Sequence, residues 1–459
     1  MASKLPLLYK VYVTLLLVVF GGIVVHAPLV VAVGWLFGDL DFSLGSANFE
    51  LLIKSWKEVL LGAALVIGLI LMARMHMWKI LKTPLIYAMG LFAIINVLII
   101  CIMYISGDVG INTKVVAAAL LINLRYFLFF GLVYVAVSLY PETRRMFVYT
   151  FLVGAAVVMG FAVLQVTVLP ADILKYIGYG PDTIQPYLTV DQNQAYVRIN
   201  STLRGPNPLG AYAAIVLAAC ASLWLLARKR LIGWRSWAVL ALGAGALVAL
   251  WASYSRSAAV AAAVALVVVV LVRFGVRWGR VVWLGLLAAG LVLAGGLYVF
   301  RDTTLVSQVI LHEDPSEGGE VNSNEGHAYS LADGLRRVAT QPFGAGIGST
   351  GSPSLLGSEP LIIENQYLYV AHETGWIGLG LFLYIQVKVL LMAWQRRRDW
   401  LALAVFASGV GLCLIGLLLP VWADDTVDII WWGLAAVALA GARSRPGPGP
   451  VGKKNGGKK

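Results

Sequence analysis

Long apolar runs broken by short polar connections dominate this chain. A helix that crosses the hydrocarbon core of a bilayer needs about 20 mostly apolar residues. The pattern offers candidate spans at 10–36, 58–74, 84–105, 115–139, 147–169, 208–227, 236–252, 257–274, 281–300, 364–391, 401–420 and 427–442. It predicts an all-α polytopic membrane protein of about 12 transmembrane helices. The first run has Lys4 and Lys10 at its start, as a signal peptide would. It exceeds the roughly 7–15 residues of a signal-peptide core and lacks a clear cleavage site, so it is read as a span.

The polar connections fall into two alternating sets. With the N-terminus inside, one set reads "ARMHMWKILK", "PETRRM", "ARKRLIGWR", "RFGVRWGR" and "WQRRRDW", joined by the tail "RSRPGPGPVGKKNGGKK"; Glu142 and Asp399 are its acids. The other reads "GDLDFSLG", "SGDVG", a segment near 170–207, "SYSR", a long segment 301–363 and "WADDTVD". Lys and Arg collect in cytoplasmic loops, so both termini are expected in the cytoplasm and the two long segments on the outer face. Residues 1–445 are expected to form a single integral membrane domain. Residues 446–459, rich in Pro, Gly and Lys, are expected to be a disordered, lipid-attracted cytoplasmic tail.

Composition agrees with this reading and narrows the chemistry. Of 459 residues, 60% are hydrophobic and only 13% charged, outside the usage of soluble domains. A net charge of +12 would point to nucleic acid in a soluble protein. Here the inner loops account for most of it, and no nucleic-acid partner is expected. Cys101, Cys220 and Cys413 stand singly in apolar runs and are read as small core residues. The chain has no HExxH motif and no His/Cys cluster, and "DDTVD" at Asp424, Asp425 and Asp428 is read as a solvated loop. Neither a metal nor another cofactor is expected.

The segment 301–363 is longer than a simple connection, which marks it as functional or disordered. Its first part, "HEDPSEGGEVNSNEG", reads as flexible. Its second, "HAYSLADGLRRVATQP", places Leu331, Leu335 and Val338 on one face of a short helix suited to the membrane surface. "FGAGIGSTGS" is glycine-rich but lacks the order of a nucleotide-binding motif.

Arginines on the outer side break the charge bias and are the ones that ask for chemistry. Arg125 falls near the middle of the fourth span, where an ionisable group is costly; it either serves function or pairs with an inward-facing acid or a helix carbonyl. Arg204 precedes "GPNPLG", in which Gly205 and Asn207 tolerate tight geometry and Pro206 and Pro208 open a helix. Arg256 stands at a helix start among Ser253, Ser255 and Ser257. A helix N-terminus beside a guanidinium suits phosphate, so two such starts could grip one pyrophosphate. The plainer alternative is loop capping or binding of lipid headgroups. Glu364 lies at the outer mouth of the tenth span, placed to act as a general base on a hydroxyl or to complement a helix dipole. Asn365 and His372 share a helix face about 10 Å apart along the axis. His372 and Glu373 also read as hydrogen bonders inside the bundle.

In this order, "LRYFLFF", "LRGPNPLG", "SYSRSA", "QPFGAGIGSTG" and "ENQYLYVAHETGWIG" resemble the O-antigen ligase and polymerase superfamily of bacterial membrane glycosyltransferases. The resemblance implies a GT-C-like fold whose long extracytoplasmic loop carries short helices, in the bacterial cytoplasmic (inner) membrane. It implies transfer of a glycan from an undecaprenyl diphosphate carrier to a hydroxyl of a glycan or lipid acceptor, with inversion and without metal. Arg204 and Arg256 would hold the diphosphate, with Arg125 as a further cation and Asn207, Asn365 and His372 at the substrate. Typical ligases of the family have a His-Asn pair where this chain has Glu364 and Asn365, a departure that leans toward a polymerase or another acceptor. A transporter or flippase of lipid-linked oligosaccharide is the competing class, and it predicts two related halves with interrupted helices. No such halves are visible in the sequence, nor are the motifs of the shape, elongation and division glycosyltransferases.

Overall fold

The computed structural model describes residues 6–37, 53–106, 112–190, 193–275 and 323–440, together with 295, 299 and 303. The expected span at 281–300 apart from residues 295 and 299, residues 312–322 of the long segment and the tail 446–459 lie outside the described residues, whereas residues 323–326, read as flexible, begin a helix. Within them, nine helices are long and apolar enough to cross a membrane. These are α1 (Leu7–Phe37), α2 (Trp56–Met75), α3 (Pro84–Ile105), α4 (Thr113–Leu139) and α5 (Thr143–Thr167), then α6 (Pro206–Ala227), α7 (Trp234–Ala252), α8 (Arg256–Phe274) and, after the surface helix α9 (Ser323–Thr340), α10 (Gln366–Gln395). Two shorter apolar helices follow, α11 (Trp400–Ile415) and α12 (Asp425–Leu439).

Local chemistry sets the helix starts. Thr83, Asn112, Asn365, Asp399 and Asp424 each accept a backbone N–H of the first turn on their side chains, and Pro84 and Pro206 occupy positions where no donor is lost. The helix periphery keeps large apolar side chains exposed, for example Ile102, Val153 and Trp251, as lipid-facing surfaces do. α12 is the opposite: every residue from Asp425 to Leu439 is buried. It packs against α4, α6 and α11, and its Trp431 and Trp432 meet Trp422, Tyr126 and Phe127 in an aromatic core. A helix buried on all sides, whose apolar run follows two acids in the first turn, belongs at a bundle centre.

The structure departs from the sequence reading in three places. The segment near 170–207 contains an antiparallel hairpin, β1 (Tyr187–Val190) and β2 (Asn193–Ile199), so the fold is mostly rather than wholly helical. Cys220 is buried as expected, but Cys101 is exposed on α3 and Cys413 only partly covered. On α9, Leu331 and Leu335 are exposed, which is compatible with the expected surface face, and the helix meets α10 through Gly334, where an added Cβ would come within 3.0 Å of Leu368. Asp424, Asp425 and Asp428 are not a solvated loop, for Asp425 and Asp428 are buried at the head of α12.

Candidate active site

The two arginine-bearing turns are built alike. Arg204 is exposed just before α6, whose first residue is Pro206, and Arg256 is the exposed first residue of α8. Each turn also holds a non-glycine residue in the left-handed region, Ser201 (φ 51°) and Tyr254 (φ 47°). Such residues cost energy and persist where the surroundings over-determine them. Ser201 donates its N–H to Gln165 Oε1 (2.9 Å) and its hydroxyl to the Val158 carbonyl (2.7 Å), while Thr202 donates to the Val24 carbonyl (2.7 Å). The Tyr254 ring packs edge-on against Tyr196 of β2 and tilted against Trp251.

Arg198 on β2 ties the turns together. Its Nε donates to the Ser253 carbonyl (3.0 Å) and its Nη2 to Asn207 Oδ1 (2.7 Å). Asn207 thus has a structural partner at the position where the sequence suggested substrate. Sequence reasoning missed Arg198, because a single arginine in a hairpin carries no positional signal until the two helix starts flank it.

Gly210 lets α6 and α8 approach: a Cβ there would come within 2.7 Å of Ala258 Cβ and 2.9 Å of Ser253 Oγ. Gly210→Ala is expected to push the two helix starts apart at a cost of about 1–3 kcal/mol. A fall in the thermal midpoint, with a larger fall in any activity that needs both arginines, checks this; a midpoint equal to wild type counts against it.

Beside Arg204 lies a buried ionic cluster that the sequence reading did not foresee. Lys57 Nζ stands 3.1 Å from Asp425 Oδ2, and His26 Nε2 stands 3.3 Å from the same oxygen. Trp56 Nε1 donates to His26 Nδ1 at 2.9 Å, and His26 Nε2 also stands 3.1 Å from Lys57 Nζ. Arg204 is near enough to act electrostatically on Asp424, Asp425 and His26. Burial, and then Asp425, push the Asp424 carboxyl above its ordinary value, and Arg204 opposes them. Charges set inside apolar runs, as His26 and Lys57 are, were the available signal.

Arg125 takes the structural alternative. Its Nε donates to Asp428 Oδ2 at 2.8 Å and its Nη2 to the Ala423 carbonyl at 2.9 Å, both arginine and acid being buried. This correction to the expectation of a substrate cation follows from desolvation, since a guanidinium in the bundle is tolerable only when paired.

Glu364 precedes the N-cap of α10 and is half-buried, with its N–H meeting Ser330 Oγ of α9 at 3.5 Å. Asn365 is that N-cap: its Oδ1 accepts from the N–H groups of Tyr367 and Leu368, and its Nδ2 donates to the Leu417 carbonyl at 2.8 Å. Gln366 extends this tie, donating its N–H to the Gly416 carbonyl and accepting from the Trp422 N–H. The mouth of α10 is thereby fixed to the segment leading to Asp424, and so to the end of the bundle that carries Arg204. His372 is buried about two turns further along, in electrostatic reach of Asp333 and Arg337 of α9.

Glu373 holds the glycine-rich loop. Its Oε1 accepts from the Gly348 N–H (2.9 Å) and its Oε2 from Asn123 Nδ2 (2.6 Å), and Asn123 also reaches Asn96. α10 bends at Gly375 (φ 68°), and the loop takes up the freed groups: Ala345 N–H donates to the His372 carbonyl and Trp376 N–H to that of Pro342. The hydrogen-bonding expectation for Glu373 is what the structure shows.

Residues 241–383 match the family model described as O-antigen ligase. Over that stretch the chain is similar to O-antigen ligases. No curated protein matches it. The stretch matching the O-antigen ligase family holds Arg256, Glu364, Asn365 and His372, whereas Arg125, Arg204 and Asn207 precede it. The similarity falls in a chain with nine described helices long and apolar enough to cross a membrane. Arg204 and Arg256 stand at the starts of two packed helices, and Glu364 precedes the start of α10.

Proposed function

We propose that the protein moves a glycan from an undecaprenyl diphosphate carrier to an acceptor hydroxyl at the outer face of the bacterial cytoplasmic membrane. The observation that carries this reading is the pairing of Arg204 and Arg256 at the starts of the packed helices α6 and α8, within and beside the O-antigen ligase match. The acceptor oxygen attacks the anomeric carbon as the bond from that carbon to the diphosphate oxygen breaks, which inverts the centre. The hydroxyl proton goes to Glu364, and the bonding pair leaves with the diphosphate. Arg204 and Arg256 hold the charge that develops there, where positioned donors act most strongly. Asn207 and Asn365 serve by fixing the two mouths rather than by touching substrate. The helices form one GT-C-like membrane domain with both termini in the cytoplasm.

The test uses purified full-length protein in nanodiscs with an undecaprenyl diphosphate-linked oligosaccharide, glycan and lipid acceptors, and EDTA, following release of the carrier diphosphate. Arg204→Ala and Arg256→Ala are each expected to slow release by about 10²- to 10³-fold. Absence of release with every acceptor, together with passage of the intact lipid-linked glycan across the bilayer, would replace the transferase by a flippase.

A further inference from the structure

At the opposite end of the bundle a groove of about 620 Å³ opens between α5 and α7. α6 and the start of α11 form its floor, through Leu223 and Trp400. Leu152, Val239 and Leu242 line its walls, so its depth is apolar. α6 has 22 residues, and at about 1.5 Å per residue the groove lies roughly 30 Å from Arg204.

The mouth differs from the walls. Arg144, Arg145 and Arg235 stand there with a single acid, Asp399, which is paired with Arg144 at 2.6 Å. Arg145 and Arg235 are exposed, one from each wall of the groove. Tyr149 (62% exposed) and Trp234 (74%) flank them, the side chains favoured at the level of lipid headgroups. An apolar slot with surplus guanidinium charge at its rim matches one ligand chemistry, acyl chains below and a phosphate between the two arginines.

We infer that this groove is a binding site for an anionic glycerophospholipid of the leaflet opposite the catalytic face. The positive-inside bias explains why arginines are present at this end, but not why they rim an apolar groove on both sides. The site stands independently of glycan transfer, since none of its residues belongs to the candidate active site.

Native mass spectrometry of the full chain, delipidated in detergent and then given phosphatidylglycerol or phosphatidylcholine, tests it. The wild type is expected to retain one phosphatidylglycerol at least tenfold better than phosphatidylcholine. Arg145→Gln with Arg235→Gln is expected to abolish that preference while leaving the thermal midpoint in lipid-free detergent unchanged. Because the double variant is confined to exposed positions, Leu152→Trp, which fills the slot from within, gives a second arm and is expected to lower retention of phosphatidylglycerol. Equal retention of the two lipids, an unchanged preference in the double variant, or preferential retention of a polyprenyl phosphate each overturns the inference.

Discussion

Glu364→Gln is expected to slow carrier release by about 10²- to 10⁴-fold, the range lost when a positioned general base is removed. The amide keeps the volume and a hydrogen-bonding capacity of the side chain but cannot take a proton. Asn365 makes the capping bonds of α10, so the helix start is expected to be kept in the variant, and its thermal midpoint checks this. His372→Gln is the comparison that gives the result meaning. His372 is buried on the helix that Glu364 precedes, and its Nδ1 has no hydrogen-bond partner among the described residues. A large loss in Glu364→Gln with a small one in His372→Gln assigns the proton to the carboxylate. The reverse pattern assigns it to the imidazole and removes Glu364 from the mechanism.

The second large effect is on stability. Asp428→Ala is expected to destabilise the protein by about 3–5 kcal/mol, because it strands the Arg125 guanidinium in the bundle. The pair itself is not optimal, since Asp428 Oδ1 has no partner among the described residues. Replacing both charges, as Arg125→Met with Asp428→Leu, is therefore expected to restore most of the loss. Thermal unfolding in detergent measures both variants. Carrier release by the double variant then separates two roles for Arg125: near-normal activity assigns it to structure alone, while a folded but inactive protein returns it to the diphosphate site.

This pair shows why the candidate site was only partly legible in sequence. Arg125 was visible as an anomaly, a charge in an apolar run, but its partner is 303 residues away. The glycine-rich loop was visible as a loop, while its anchor runs from Asn123 to Glu373 across 250 residues. Asn207 and Asn365 were visible as polar residues at helix mouths. That they brace Arg198 and the Leu417 carbonyl depends on which turns the fold brings together.

The sequence alone determined the elements that depend on local physics. Run length set the spans, proline and short polar side chains set their starts, and the order of motifs pointed to a resemblance that the O-antigen ligase match over residues 241–383 supports. The described helices differ from the expected spans by a few residues at their ends, as at Trp56–Met75 and Gln366–Gln395. Tertiary structure alone decided which charges meet. It made "DDTVD" the buried partner of Lys57, His26 and Arg125, and put Arg198 between the two arginine turns. The reason is that the cost of burying a charge is known from its type, whereas its compensation depends on neighbours that only packing supplies.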